Sequence, residues 1–152
     1  MAQQRQPDAQ LQWDVYIGSG NREADMAARL RKDLPRAGLR VHPAQAFHPR
    51  HMGEVSCVLA LQAARKPDDA VRAAIAAAQH PDVDRPIVTV YVRDKTLAVQ
   101  RMGNDPLYLP YTDGITQVVF AVWRVLEWEQ AALQADMPAS DSFTWLLNTL
   151  KS

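Results

Sequence analysis

The chain has 152 residues, 47% hydrophobic and 22% charged, which suits one globular domain with one core. Seventeen Lys and Arg balance seventeen Asp and Glu, so no general field draws the chain to nucleic acid or to an anionic membrane. Cys57 is the only cysteine, which leaves no intrachain disulfide, and no run of about eighteen apolar residues is present to span a bilayer.

The opening stretch MAQQRQPDAQLQ has no apolar core, reads as no signal peptide, and is expected to be disordered over residues 1–11. Residues 12–134 are expected to form the domain. Trp13 to Ile17 predict a first strand with Val15 and Ile17 on one face. A Gly-Ser-Gly turn follows, then a helix over about 22–34 with Ala24, Ala27, Leu30 and Leu34 at helical spacing. Pro35 and Gly38 stop it, and GLRVH predicts a short second strand. PAQAFHPRHMGE reads as a loop. Val55 to Leu61 is a continuous apolar run of the kind buried in a parallel sheet. Pro67, Asp68 and Asp69 open an alanine-rich helix that ends near Gln79. RPIVTVYV predicts a fourth strand. Arg93 to Pro106 reads as loose chain before a short fifth strand, LYL. Asp113 is placed to cap a long last helix. Its inner face is expected to be Ile115, Val119, Val122 and Leu126, with Trp123 beside them as core. Residues 135–152 read as a linker and a short apolar tail. Strands alternating with helices predict an α/β fold: a flavodoxin-like parallel sheet of about five strands with helices on both faces.

Gly18-Ser19-Gly20 resembles the start of a dinucleotide fingerprint, but Glu23 stands where the third glycine belongs. Glu23 and Asp25 complement the helix dipole themselves, and Glu23 is spaced to reach back to Gly20 as half of a capping box. A pyrophosphate needs bare N–H groups there and would meet carboxylates. The turn therefore reads as a capped turn with no bound cofactor.

The order of features resembles a Toll/interleukin-1 receptor (TIR) domain. The matching pieces are DVYIGSGNREADMAARLRKDLPRAGLRV, VSCVLAL, RPIVTVYV and LPYTDGITQVVFAVWRVL, covering about residues 13–128. The resemblance implies an assembly loop, the BB loop, between the second and third strands. Here only His42 to Glu54 lie there, so the loop is short and its usual helix is reduced or lost. Enzymatic members cleave NAD with a glutamate on the helix after the third strand. Arg72 falls near that place, and the helix holds no glutamate. Breaking a ribosyl C–N bond builds positive charge that a carboxylate stabilises and an arginine opposes. Asp68 and Asp69 are the fallback carboxylates, although acids following a proline at a helix start ordinarily cap it.

His48 and His51 lie three apart, but zinc would need a third and a fourth ligand, and His42 and His80 are elsewhere in sequence. No metal site is assigned. Phe47, His48, Arg50 and His51 are read instead as a partner contact, with Phe47 exposed among basic neighbours. Residues 1–76 carry a charge balance of +3 and residues 77–152 one of −3, which favours head-to-tail association. The expectation is a cytoplasmic TIR-like signalling or assembly domain. It would act through self-association or another TIR-like protein, with no membrane or nucleic-acid partner and no catalysis. One alternative is an NAD-cleaving enzyme (nucleosidase or cyclase) with a displaced carboxylate and NAD as its ligand. The other is a nucleotide- or nucleoside-binding domain of the same fold.

Overall fold

The computed structural model describes residues 12–44, 47–63, 66–101, 106–110 and 116–134, with the side chains of 128 and 130–134 also outside the description. The expectations for residues 1–11, for the caps and apolar positions at Asp113 and Ile115, and for the 135–152 tail therefore lie outside the described residues. Ten elements follow one another, of which eight are regular: β1 (Trp13–Gly18), α1 (Ala24–Arg36), β2 (Val55–Gln62), α2 (Asp69–Ala78), β3 (Ile87–Tyr91), β4 (Thr96–Gln100), β5 (Leu107–Pro110) and α3 (Thr116–Gln134). The other two are short 3-10 helices at Asn21–Glu23 and Pro49–Glu54.

Period-two alternation decides the layers. Val15 and Ile17, Cys57, Leu59 and Leu61, Val88 and Val90, and Leu97 and Val99 point to one face of the sheet. There they meet Ala27, Leu30 and Leu34 of α1 and Val118, Val122 and Val125 of α3. Tyr16, Val58, Ala60 and Ile87 point to the other face and pack on Val71, Ala74 and Ala78 of α2, with Met52 filling the gap. Every one of these side chains is buried. The chain is thus an α/β domain with helices on both faces of one sheet.

The sheet is mixed. Its order is β1-β2-β3-β4-β5, with β1–β2 and β2–β3 parallel and β3–β4 and β4–β5 antiparallel. The stretch expected to be loose, Arg93 to Pro106, contains β4. It pairs with β3 through a tight turn at Val92–Lys95, in which Lys95 takes φ 52°. Turns with positive φ ordinarily announce themselves with Gly or Asn, and this one carries Lys. The expected second strand is reduced to a single parallel bridge, Val41 to Val15, on the outer edge of β1. What holds it is a side chain: Asp14 takes a bidentate pair of bonds from Arg40 (Nη2 3.0 Å, Nε 3.2 Å) and a third from the Arg40 backbone N–H at 2.7 Å.

Two helix ends differ from expectation. Pro35 does not stop α1, which runs through it to Arg36. Gly38 does, at φ +89°, as the left-handed residue of a Schellman motif: Leu39 N–H bonds Leu34 C=O (3.1 Å) and Gly38 N–H bonds Pro35 C=O (3.0 Å). The inner face of α3 is rotated. Val118, Ala121, Val122 and Val125 are buried, Val119 and Leu126 are only partly so, and Trp123 is 43% exposed beside Phe120 at 60%. The helix is apolar at nearly every position from Val118 to Leu126, so hydrophobic spacing alone does not select its inward stripe. Among the described residues no helix is long and apolar enough to cross a membrane.

Candidate functional site

Two places gather the side chains singled out by sequence. The first is the C-terminal end of β1 and β2. The Gly18-Ser19-Gly20 turn leads into Asn21–Glu23, with Glu23 N–H on the Gly20 carbonyl at 3.3 Å. Gly20 lies against Asp68: a Cβ at Gly20 would overlap the Asp68 carboxylate. Asp68 is the N-cap residue of α2 by position, and its carbonyl accepts from Arg72 N–H at 2.9 Å, but its side chain makes no capping bond. The side chain faces the glycine turn instead. Asp69 is fully exposed and lies 3.7 Å from Arg72, whose side chain is 62% exposed. Both fallback carboxylates are exposed; Asp68 lies over the turn and Asp69 points wholly into solvent. Glu23 is buried and Asp25 is exposed, so the mouth of the turn carries acid.

The second place is the N-terminal edge of β1, and sequence reasoning missed half of it. Arg40 and the Val41 bridge hold the chain beside β1, with His42 N–H on Val15 C=O at 2.8 Å. Alternation sends Val41 to the α1–α3 face and His42 to the other, where its ring meets Trp13 and Tyr16 at centroid distances of 5.8 and 5.9 Å. The segment then turns back as the 3-10 helix Pro49–Glu54, started by Pro49 and by His48, whose Nδ1 accepts Arg50 N–H at 3.1 Å. A 3-10 helix repeats every three residues, so His51 and Glu54 share one edge. Met52 drops into the core beside Tyr16. Arg85 donates from Nε to the Met52 carbonyl at 3.3 Å and anchors the turn.

His42, His51 and Glu54 meet as a result. His42 and His51 ring centroids are 4.5 Å apart, and His42 Nε2 lies 2.9 Å from Glu54 Oε1. Ala44 N–H bonds His42 Nδ1 at 3.1 Å, so Nδ1 carries the lone pair and the proton sits on Nε2, donated to Glu54. That bond holds the Glu54 carboxyl below its ordinary range. Burial, and then the neighbouring His42, push His51 down, which keeps its ring neutral. His51 Nδ1 is buried and has no hydrogen-bond partner.

Of the four residues read as a contact surface, His48 and Arg50 are exposed, whereas His51 is buried and Phe47 is half-buried, edge-on to Tyr16 at 6.3 Å. An apolar ring opposite Tyr16 buries more area inside than out, which is why Phe47 turns in. His42 and Glu54 were missed because they join His51 through a one-residue bridge and a 3-10 turn. The available signal was H-x-x-E at 51–54.

Cys57 is fully buried in β2, and burial pushes its thiol up to about 12, so it is an inert core residue. No family model, curated protein or solved structure matches the chain.

Proposed function

We propose that this chain is a flavodoxin-like, TIR-like domain that works by protein–protein association and does not turn over NAD. The spatial order of the Val41 bridge, β1, β2 and β3, all parallel, supports the fold reading, and the antiparallel β4–β5 extension departs from it. The observation that carries the functional reading is the outward face of α3. Phe120 and Trp123 are 60% and 43% exposed and line a cleft with Val119, Asp33 and Arg36. Contiguous exposed aromatic surface marks an interface, and buried aromatic anchors carry most of an interface's energy.

The occupant we assign is a second copy of the chain, placed head to tail. Glu127, half exposed one turn beyond Trp123, lies in the acidic half, and Arg50 and His48 project from the basic half. Joining unlike patches gives a heterologous contact that is able to continue from copy to copy. Each exposed charge pair contributes only about 0–1 kcal/mol, so the aromatic pair sets the strength and the charges set the salt dependence. Sedimentation velocity over a concentration series tests this. Association is expected to weaken in Trp123→Ser and Phe120→Ser, to weaken in Arg50→Glu at low salt, and to return in Arg50→Glu/Glu127→Arg. A chain that stays monomeric up to its solubility limit sinks the reading. The same preparations are expected to release nicotinamide from NAD no faster than buffer, because the Arg72 cation near the expected carboxylate position opposes a developing positive charge on the sugar. Turnover that vanishes in Asp69→Ala would replace the assembly reading with the enzymatic one.

A further inference from the structure

The segment from His42 to Glu54 collects donors of the type that bind a transition metal, at the edge of β1 near the N-terminal ends of β1 and β2. We propose that His42, His51 and Glu54 form a three-donor site for Zn(II), with the fourth position open to solvent on the Glu54 side.

Three observations carry this. One ring nitrogen of each histidine and one Glu54 oxygen all lie within 4.8 Å of one another. Tetrahedral zinc at ~2.0–2.2 Å from each donor needs separations of about 3.3 Å. The His42–Glu54 pair is already at 2.9 Å, so the closing movement belongs to His51. His51 itself is 8% exposed, and its Nδ1 is buried without a hydrogen-bond partner. Buried polar atoms are paired in native proteins as a rule, and an orphan beside two further metal donors points to a missing ligand. The donor set, two imidazoles and one carboxylate, matches zinc and not the all-oxygen shells of Mg²⁺ or Ca²⁺. Glu54 is 47% exposed at its side chain, which gives the ion a way in.

A hydrogen bond occupies part of this site in the metal-free chain. The proton on His42 Nε2, now given to Glu54, stands where zinc binds. When zinc takes Nε2, that proton moves to Nδ1, and the Ala44 N–H that bonds Nδ1 lets go. No proton leaves the protein in this exchange. Zinc binding is therefore coupled to a movement at Ala44 and to the His42 ring, which lies against Trp13. The ion pins residues 47–54 to the β1 edge.

The test uses the full chain, free of any purification tag, titrated with ZnCl₂ and separately with MgCl₂ by calorimetry and thermal melting. The expected result is one zinc per chain, a raised Tm, no response to magnesium, and a change in tryptophan emission that Trp13→Phe lacks. Glu54→Gln and His51→Gln are expected to weaken zinc binding by more than about a hundredfold, beyond what loss of an orienting neighbour causes. His80→Gln, an exposed imidazole outside this segment, is expected to bind as the unaltered chain does. If His51→Gln does not fold, Glu54→Gln decides, since Glu54 is half exposed and its loss leaves the core intact. Absence of zinc binding, unchanged affinity in Glu54→Gln, or loss of binding in His80→Gln overturns the proposal.

Discussion

Replacing Arg101 with Met removes a cation that ties α3 to the turn before β3. The Arg101 side chain is 2% exposed. Its Nε and Nη2 donate to the Asp84 carboxylate (3.1 and 3.3 Å), Nη2 also donates to the Asp84 carbonyl (2.9 Å), and Nη1 meets Glu129 of α3. Asp84 is held at φ 47°, a left-handed conformation that a non-glycine residue adopts only where its surroundings fix it. Met matches the stem of Arg but leaves the Glu129 carboxylate, 12% exposed, beside an apolar neighbour in place of its guanidinium. Removing one member of a buried ion pair costs about 3–5 kcal/mol, and for a domain of this size that lowers Tm by roughly 10–20 °C. Urea unfolding followed by circular dichroism reads the loss as a lower midpoint at constant m. Arg101→Met/Glu129→Leu is expected to recover most of it, because a matched apolar pair needs no desolvation of charge. A loss below about 1 kcal/mol in Arg101→Met, at unchanged m, would refute the claim that this network orients α3.

Two further outcomes follow from single positions. Gly20→Ala puts a Cβ into the Asp68 carboxylate, which is exposed and able to swing aside, so its cost is expected to stay within about 1 kcal/mol and to vanish in Gly20→Ala/Asp68→Gly relative to Asp68→Gly; a loss above about 2 kcal/mol in denaturant melts would show that Asp68 is held against the turn. Burial raises the Cys57 thiol from an ordinary value near 9 to about 12, so its contribution is fully present below pH 9 and is lost as pH rises toward 12, at about 1.4 kcal/mol per pH unit. Burial raises Tyr16 and Tyr91 in the same direction, and those contributions remain in Cys57→Ala, so that variant is expected to show a shallower alkaline fall of stability; an identical slope in the two proteins would mean that the thiol is not shielded.

The face of Val15 and Ile17 was legible in the sequence, and Val55 to Leu61 and IVTVYV were legible as strands because strands buried on both faces are apolar nearly throughout. So was α1, whose stripe sits opposite charged residues. β4 was not legible: it is five residues long, follows a turn whose positive-φ residue is Lys95, and pairs antiparallel where parallel strands precede it. The phase of α3 was not legible for the opposite reason, an excess of apolar side chains, so that only the packing of Val118 and Val125 onto the sheet left Trp123 outside. The His42, His51 and Glu54 cluster depends on the Asp14–Arg40 clamp and on a 3-10 turn, and neither leaves a periodic trace. His48 and His51 were visible as a pair, and the third donor was already in the sequence, three residues past His51.

A glycine in a strand-to-helix turn has two physical uses: it lets a phosphate approach the backbone, or it lets another part of the chain do so. The space in front of Gly20 belongs to the second use, since the Asp68 carboxylate fills it. A phosphate would have to displace Asp68 and then lie near it, near Glu23 and near Asp25 in the first turn of the following helix. Repulsion from a unit charge about 4 Å away is near 4 kcal/mol at a protein surface, and a hydrogen bond from the backbone to a charged group returns only about 1.5–3 kcal/mol. Three carboxylates beside the few N–H groups of one short 3-10 turn therefore favour the reading in which this turn holds no phosphate. That balance supports the proposed reading, in which recognition comes from side chains elsewhere. Among the described residues, large or charged side chains that face outward include Phe120 and Trp123 on α3, Tyr108 on β5 and Arg50 at the tip of the 47–54 segment.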